Sequence, residues 1–157
     1  GPRARVAASA QLSGAANFWL RVYYEDTDLA GIVFYANYLR FIERARTEVL
    51  IEAGVDQAAL REETGLVFVV RRVEADYLAP ARFQDRLRVT TRLLEIGGSF
   101  VDLGQDVWLV ESALFRSTVR PVAIGAGGRP IRVPEVARAA LERLRADETQ
   151  PRFRDDP

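Results

Sequence analysis

Between Asn37 and Ala53 the apolar positions fall with the period of an α-helix. Tyr38, Phe41, Ile42, Ala45, Val49 and Ala53 make one stripe. Asn37 is placed to cap the start by accepting a backbone N–H, and Gly54 sits where a left-handed residue would end the helix. On the outer face Arg40 and Glu43, Glu43 and Arg46, and Arg44 and Glu48 are spaced as surface ion pairs, each worth ~0.3–0.5 kcal/mol. Before the helix, Phe18 to Tyr24 is aromatic and β-branched and predicts a strand. After it, a short polar helix is predicted over Gln57 to Thr64, ended by Gly65. Leu66 to Val70 is a continuous apolar run, which predicts a strand buried on both faces and continuing to Tyr77. Ala79-Pro80-Ala81 breaks it.

Arg86 to Leu93 alternates, with Leu87, Val89 and Leu93 on one face and Arg86, Arg88 and Arg92 on the other. Gly97-Gly98 signals a hairpin into Phe100 to Val110, and Ala113 to Ala123 makes a further strand. Gly125 to Gly128 reads as a loop and lacks the pattern of a phosphate-binding turn. Pro134 suits the first turn of a last helix through Val136, Ala140, Leu141 and Leu144. The order is strand, long helix, then four antiparallel strands. That is α+β, a curled five-stranded antiparallel sheet with one long helix lying across it. One domain is expected over 18–146, with a flexible N-terminal segment at 1–17 and a flexible C-terminal tail at 147–157.

Composition narrows the chemistry. The 157 residues carry 22 basic and 22 acidic side chains, and the chain has no Cys, His, Lys or Met, so every cation is Arg. Disulfides, thiol nucleophiles, zinc–thiolate sites, histidine triads and Schiff-base lysines are all excluded. No metal site and no cofactor are expected, and Asp, Glu and Tyr remain as acid–base groups. Zero net charge gives no bulk attraction to nucleic acid or an anionic membrane. No run is long enough to span a bilayer, and residues 1–17 lack the apolar core of a signal peptide, so a cytoplasmic protein is expected.

The carboxylates gather in Glu25-Asp26-Thr27-Asp28, directly before the helix. Asp28 has two readings: a turn residue bonded to nearby N–H groups, or a nucleophile or general base for attack on an activated acyl group. In the second, backbone N–H groups around Phe34 to Ala36 would hold the oxyanion, and Gly31 would let the backbone pass close to the substrate. Glu25 and Asp26 either pair with Asp28 or bond within the loop. Tyr23, Tyr24, Tyr35, Tyr38 and Phe41 form core packing or the wall of an acyl pocket. Arg71, Arg72, Arg82, Arg86, Arg88 and Arg92 are either a solvated strand face or a phosphate contact.

The stretch from Arg21-Val22 through Thr27-Asp28, Gly31 to Tyr35 and Asn37-Tyr38 resembles the signature of the 4-hydroxybenzoyl-CoA thioesterase group of the hot-dog superfamily. Glu43 to Glu48, Phe68 to Arg72 and Tyr77 to Arg82 resemble the Tol–Pal-associated, YbgC-like acyl-CoA thioesterases. The resemblance implies a hot-dog fold and hydrolysis of acyl-CoA, or of acyl carrier protein thioesters, with coenzyme A entering as part of the substrate. It implies Asp28 as the catalytic carboxylate and the Tyr35 backbone N–H as an oxyanion donor. Gly31, Val33, Phe34, Tyr38, Arg71 and Arg72 are implied to contact substrate. A homodimer or homotetramer with a site between subunits is implied as well. Many Tol–Pal-type members carry His where this chain has Tyr35. The alternative is a non-catalytic acyl-CoA or acyl-carrier-protein binding protein of the same fold. A hot-dog dehydratase commonly needs the His this chain lacks.

Overall fold

The computed structural model describes residues 15–145 and Phe153. The terminal segments expected at 1–17 and 147–157 therefore lie outside the described residues, except for residues 15–17 and Phe153.

The elements run β1 (Ala16–Arg21), a single 3-10 turn (Tyr24–Asp26), α1 (Asn37–Glu52), α2 (Gln57–Thr64), β2 (Val67–Tyr77), β3 (Arg86–Ile96), β4 (Val101–Leu109), β5 (Ser112–Ile124) and α3 (Glu135–Glu142). The strands form one antiparallel sheet in the order β1-β3-β4-β5-β2. α1 packs across it against β3, β1 and β4, as the sequence predicts.

One apolar cluster gathers Phe41, Ile42 and Ala45 of α1 with Val22, Leu87, Val89, Val107, Phe115 and Val119. A second gathers Leu50, Leu66, Leu93, Val101 and Leu103 with Ala137 and Leu141 of α3. Gln105 lies between them on β4 and is fully buried. Its amide N–H donates to the Ile42 carbonyl and to Thr91 Oγ1, both at 2.9 Å, and its oxygen accepts from Arg46 at 2.8 Å. Every polar atom of that side chain is thereby engaged, which a buried amide requires. Burial lowers the Arg46 pKa from its ordinary value, with Glu43 opposing.

Several local expectations are corrected. The first strand begins at Ala16, inside the segment assigned to the terminus, and ends at Arg21, before Tyr23 and Tyr24. Asn37 is the first helical residue and does not cap; Ala36 holds that position without a side-chain bond. Gly54 does take a left-handed φ of 81°. On the α1 stripe Leu50 is buried, while Val49 and Ala53 are half-buried. The expected ion pairs do not form within 4 Å: Glu43 accepts from Thr47 Oγ1 at 3.0 Å, and Arg46 turns to Gln105. On α3 the buried residues are Ala137, Ala140 and Leu141, while Val136 is exposed.

The apolar run Leu66 to Val70 is not buried on both faces. β2 is an edge strand, and Val69, Val70 and Val73 are each 41% exposed. The strand with continuous burial is β4, from Val101 to Val107. Apolar character reports that a strand needs cover; it does not report which chain supplies the cover.

Candidate active site

The loop between β1 and α1 is built on Asp26. Its backbone N–H donates to the Tyr23 carbonyl at 3.0 Å, closing the 3-10 turn. Its carboxylate accepts from the Tyr23 N–H at 2.9 Å through Oδ2 and from Asn37 Nδ2 at 2.8 Å through Oδ1. Its carbonyl accepts from the Phe34 N–H at 3.0 Å. Asp26 is thus bonded to both ends of the loop and does not face Asp28 as a paired carboxylate.

Within the loop Thr27 bridges to Val33. The Asp28 N–H donates to the Ile32 carbonyl at 2.9 Å, and the Gly31 N–H to the Asp28 carbonyl at 3.0 Å. Gly31 has a φ of 77°, a conformation that favours glycine. Asp28 Oδ1 accepts from the Ala30 N–H at 2.8 Å, so Asp28 is a turn residue. Its Oδ2 makes no hydrogen bond among the described residues, and the side chain is exposed. The two readings left open by the sequence are compatible: one oxygen holds the turn, and the other faces out.

At the helix start, the Asn37 N–H donates to the Phe34 carbonyl at 2.8 Å and the Leu39 N–H to the Ala36 carbonyl at 3.1 Å. The N–H groups of Tyr35 and Ala36 have no partner among the described residues. That of Phe34, included among the expected oxyanion donors, is taken by Asp26. A cleft of about 280 Å³ is lined by Glu25, Thr27, Asp28, Phe34, Ala36, Asn37 and Arg40. The Asp28 carboxylate and Ala36, with its free N–H, share this cleft, and Tyr35 adjoins it in the chain. The arrangement suits attack on a carbonyl whose oxygen gains negative charge.

The other expected contacts divide. Gly31 shapes the turn beside the cleft, and Phe34 lines it. The Tyr35 ring is exposed, tilted against Phe34 at 4.8 Å and edge-on to Tyr77 at 6.2 Å. Val33 is a core residue whose N–H donates to the Ala81 carbonyl at 2.8 Å. Tyr38 is also core: its ring stacks on Phe115 at 5.1 Å, and its hydroxyl accepts from the Ala81 N–H at 3.1 Å. Burial pushes the Tyr38 phenol up, opposed by the Ala81 hydrogen bond. Val33 and Tyr38, both expected to contact substrate, have side chains buried in the core beneath the loop.

Arg71 and Arg72 lie on β2 and do not line the cleft. The Arg72 guanidinium sits 4.2 Å from the Phe153 ring centre and 3.8 Å from Glu74. Around it, the side of the sheet away from α1 is a lattice of answered charges. Arg120 makes two bonds to Asp102, at 2.6 and 2.8 Å, and lies 4.3 Å from the Phe100 ring centre. Arg116 bonds Asp106, and Arg88 bonds Asn17. Burial pushes the Asp106 carboxyl up, opposed by Arg116, Arg92 and the Ser117 N–H. These contacts favour a packed polar face over a waiting phosphate site.

The sequence reading missed the Asp26–Asn37 bond, which spans eleven positions and leaves no periodic signal. It also placed Arg40 in a surface pair, although among the described residues Arg40 is the one cation lining the cleft. Its position three residues after Asn37, on a neighbouring face of the same helix, was the available clue. Among the described residues no group of three or more His, Cys, Asp or Glu could hold a metal ion, and no helix is long and apolar enough to cross a membrane.

Comparison with known proteins follows the same line. The thioesterase superfamily model matches residues 30–115. The chain is 37% identical over 135 residues to the acyl-CoA thioesterase YbgC of Haemophilus influenzae, covering 85% of this chain and 99% of that protein. It is 42% identical over 95 residues to the acyl-CoA thioester hydrolase YbgC of Escherichia coli O6:H1, covering 60% of this chain and 70% of that protein. A probable thioesterase from Bartonella henselae has a similar structure, with a TM-score of 0.73 and 35% identity over 76% of this chain and 99% of that one.

Proposed function

The chain belongs to the thioesterase superfamily and is a YbgC-like thioester hydrolase of hot-dog fold, and on that premise we propose that it hydrolyses acyl-CoA in the cleft between Asp28 and the start of α1. Acyl-CoA and water give a carboxylic acid and free coenzyme A. Asp28 attacks the carbonyl carbon directly or takes the proton of an attacking water. The carbonyl oxygen gains charge and is met by the Tyr35 N–H, with the Ala36 N–H beside it. The partial positive charge of the α1 N-terminus adds to both. The C–S bond then breaks, and the thiolate leaves and takes up a proton; where Asp28 has attacked directly, water then cleaves the resulting anhydride, frees the carboxylic acid and restores the Asp28 carboxylate. A thioester is electrophilic enough to react without an imidazole, and the chain has no His. The observation that carries this reading is a carboxylate with one oxygen free of hydrogen bonds, at Asp28, lining the same cleft as Ala36, whose N–H, like that of the adjacent Tyr35, has no partner among the described residues.

Acyl carrier protein presents the same pantetheine thioester and is the alternative carrier. Arg40 is placed to meet an anionic part of the substrate, ahead of Arg71 and Arg72. The working form in this reading is a homodimer or homotetramer, supported by the exposed apolar edge of β2.

A thiol-reactive dye tests the activity directly, because a chain without Cys contributes no background. Coenzyme A release is expected from at least one member of a panel running from acetyl- to palmitoyl-CoA with benzoyl types. Saturable binding with no release across the panel would leave a binding protein and overturn the proposal.

Tyr35→Phe separates the backbone from the hydroxyl. Every non-proline residue keeps the N–H. We expect kcat to fall by less than about tenfold, or ~1.4 kcal/mol. A loss of about 10²–10³, the usual cost of one oxyanion donor, would assign the role to the hydroxyl instead.

A further inference from the structure

We infer that Asp26 and Asn37 are positioning residues for this reaction: their side-chain bond keeps the oxyanion donors uncovered and sets their distance from Asp28. The inference rests on the hydrolase reading of the cleft and adds two residues to it.

The start of α1 is unusual for its sequence. Ala36 occupies the capping position, has helical backbone angles and offers no side-chain acceptor. Asn is among the best capping residues, and it stands one position later. Its amide is turned away from its own helix and donates to Asp26 Oδ1 at 2.8 Å. Asn37 is 6% exposed and Asp26 5% exposed, so the bond is shielded from water. Burying a carboxylate is costly, and this one has both oxygens engaged, by Asn37 and by the Tyr23 N–H. The Asp26 carbonyl holds the Phe34 N–H at 3.0 Å, immediately before the unpaired N–H groups of Tyr35 and Ala36. Asp28 lies two residues on from Asp26 along the chain. One residue therefore fixes both partners of the reaction, the carboxylate through the backbone and the donors through Asn37 and Phe34. Released from Asp26, the Asn37 amide would be able to turn toward the helix end, and the Asp28 loop would lose its tie to α1. A misplacement of about 1 Å is enough to cost ~10²-fold in rate.

The test reverses the pair. Asn37→Asp sets two carboxylates against each other with little change in volume. Asp26→Asn in that background restores one donor and one acceptor with the roles exchanged. With an acyl-CoA that the wild type hydrolyses, Asn37→Asp is expected to lower kcat roughly 10²-fold and to leave KM within about threefold, since the rest of the cleft is intact. The reversed double variant is expected to regain at least tenfold of the loss. Full kcat in Asn37→Asp overturns the inference. So does a reversed pair that fails to fold, or that folds without recovery. Asp28→Asn run in parallel separates the two levels. If Asp28→Asn is as active as wild type, the hydrolase reading of the cleft fails. If Asp28 is essential while Asn37→Asp is indifferent, only the positioning role fails.

Discussion

Asp28→Asn is expected to fold, to assemble as the wild type does, and to hydrolyse acyl-CoA at least ~10²-fold more slowly, the scale of losing a general base. The substitution is informative because of how the side chain is held. Asp28 Oδ1 accepts the Ala30 N–H, and an Asn side chain accepts that bond equally well through its own oxygen. The turn, the Gly31 conformation and the bridge from Thr27 to Val33 depend on backbone bonds that the change does not touch. What disappears is the charge and the second oxygen. A nucleophile needs that oxygen unprotonated and a general base needs its lone pair; an amide nitrogen supplies neither. Initial rates with purified protein, beside a thermal melt to verify the fold, check this. Near wild-type hydrolysis would remove Asp28 from the chemistry and leave it the turn residue that its Ala30 bond also describes.

The parts of this molecule that the sequence disclosed are those set by local periodicity. The α1 stripe through Tyr38, Phe41, Ile42 and Ala45, the left-handed Gly54 and the alternation of Leu87, Val89 and Leu93 each follow from one element's own geometry. What escaped depends on a partner distant in sequence. Asn37 carries every mark of a capping residue, and only the fold brings Asp26 close enough to draw its amide away. For Tyr38 the stripe disclosed that the ring is buried, and only the fold shows that it packs against Phe115 and Tyr77. The strand-face arginines looked available because Asp102, Asp106 and Asn17 come from other parts of the chain. The carboxylate at Asp28 was found because its loop is continuous; the donors were narrowed to Tyr35 and Ala36 only once Phe34 proved to be engaged.

Val73→Lys is expected to convert the protein to monomers and, in doing so, to lower hydrolysis by more than tenfold. Among the described strands β2 has a neighbour, β5, on one side only. Val69, Val70, Val73, Tyr77 and Leu78 are all exposed on or just beyond it. An unprotected apolar edge of this length invites a further strand, and a second copy supplies one through a two-fold contact. Val73 pairs with Val119 near the middle of the strand, so its side chain would lie within such a contact. Because a two-fold contact is self-complementary, one substitution places two ammonium groups in it. An uncompensated buried charge costs roughly 3–5 kcal/mol. A single chain pays no such cost, since a half-exposed Lys keeps its charge in water along an apolar stem. Light scattering at micromolar concentration should give at least twice the 17.6 kDa chain mass for the wild type and one chain mass for the variant, with circular dichroism unchanged. Val136→Lys, on the exposed face of α3 away from the edge, serves as the control and should alter neither mass nor rate. A variant that stays oligomeric and active would place the contact elsewhere. One that becomes monomeric and keeps full activity would show that a single chain holds the whole site.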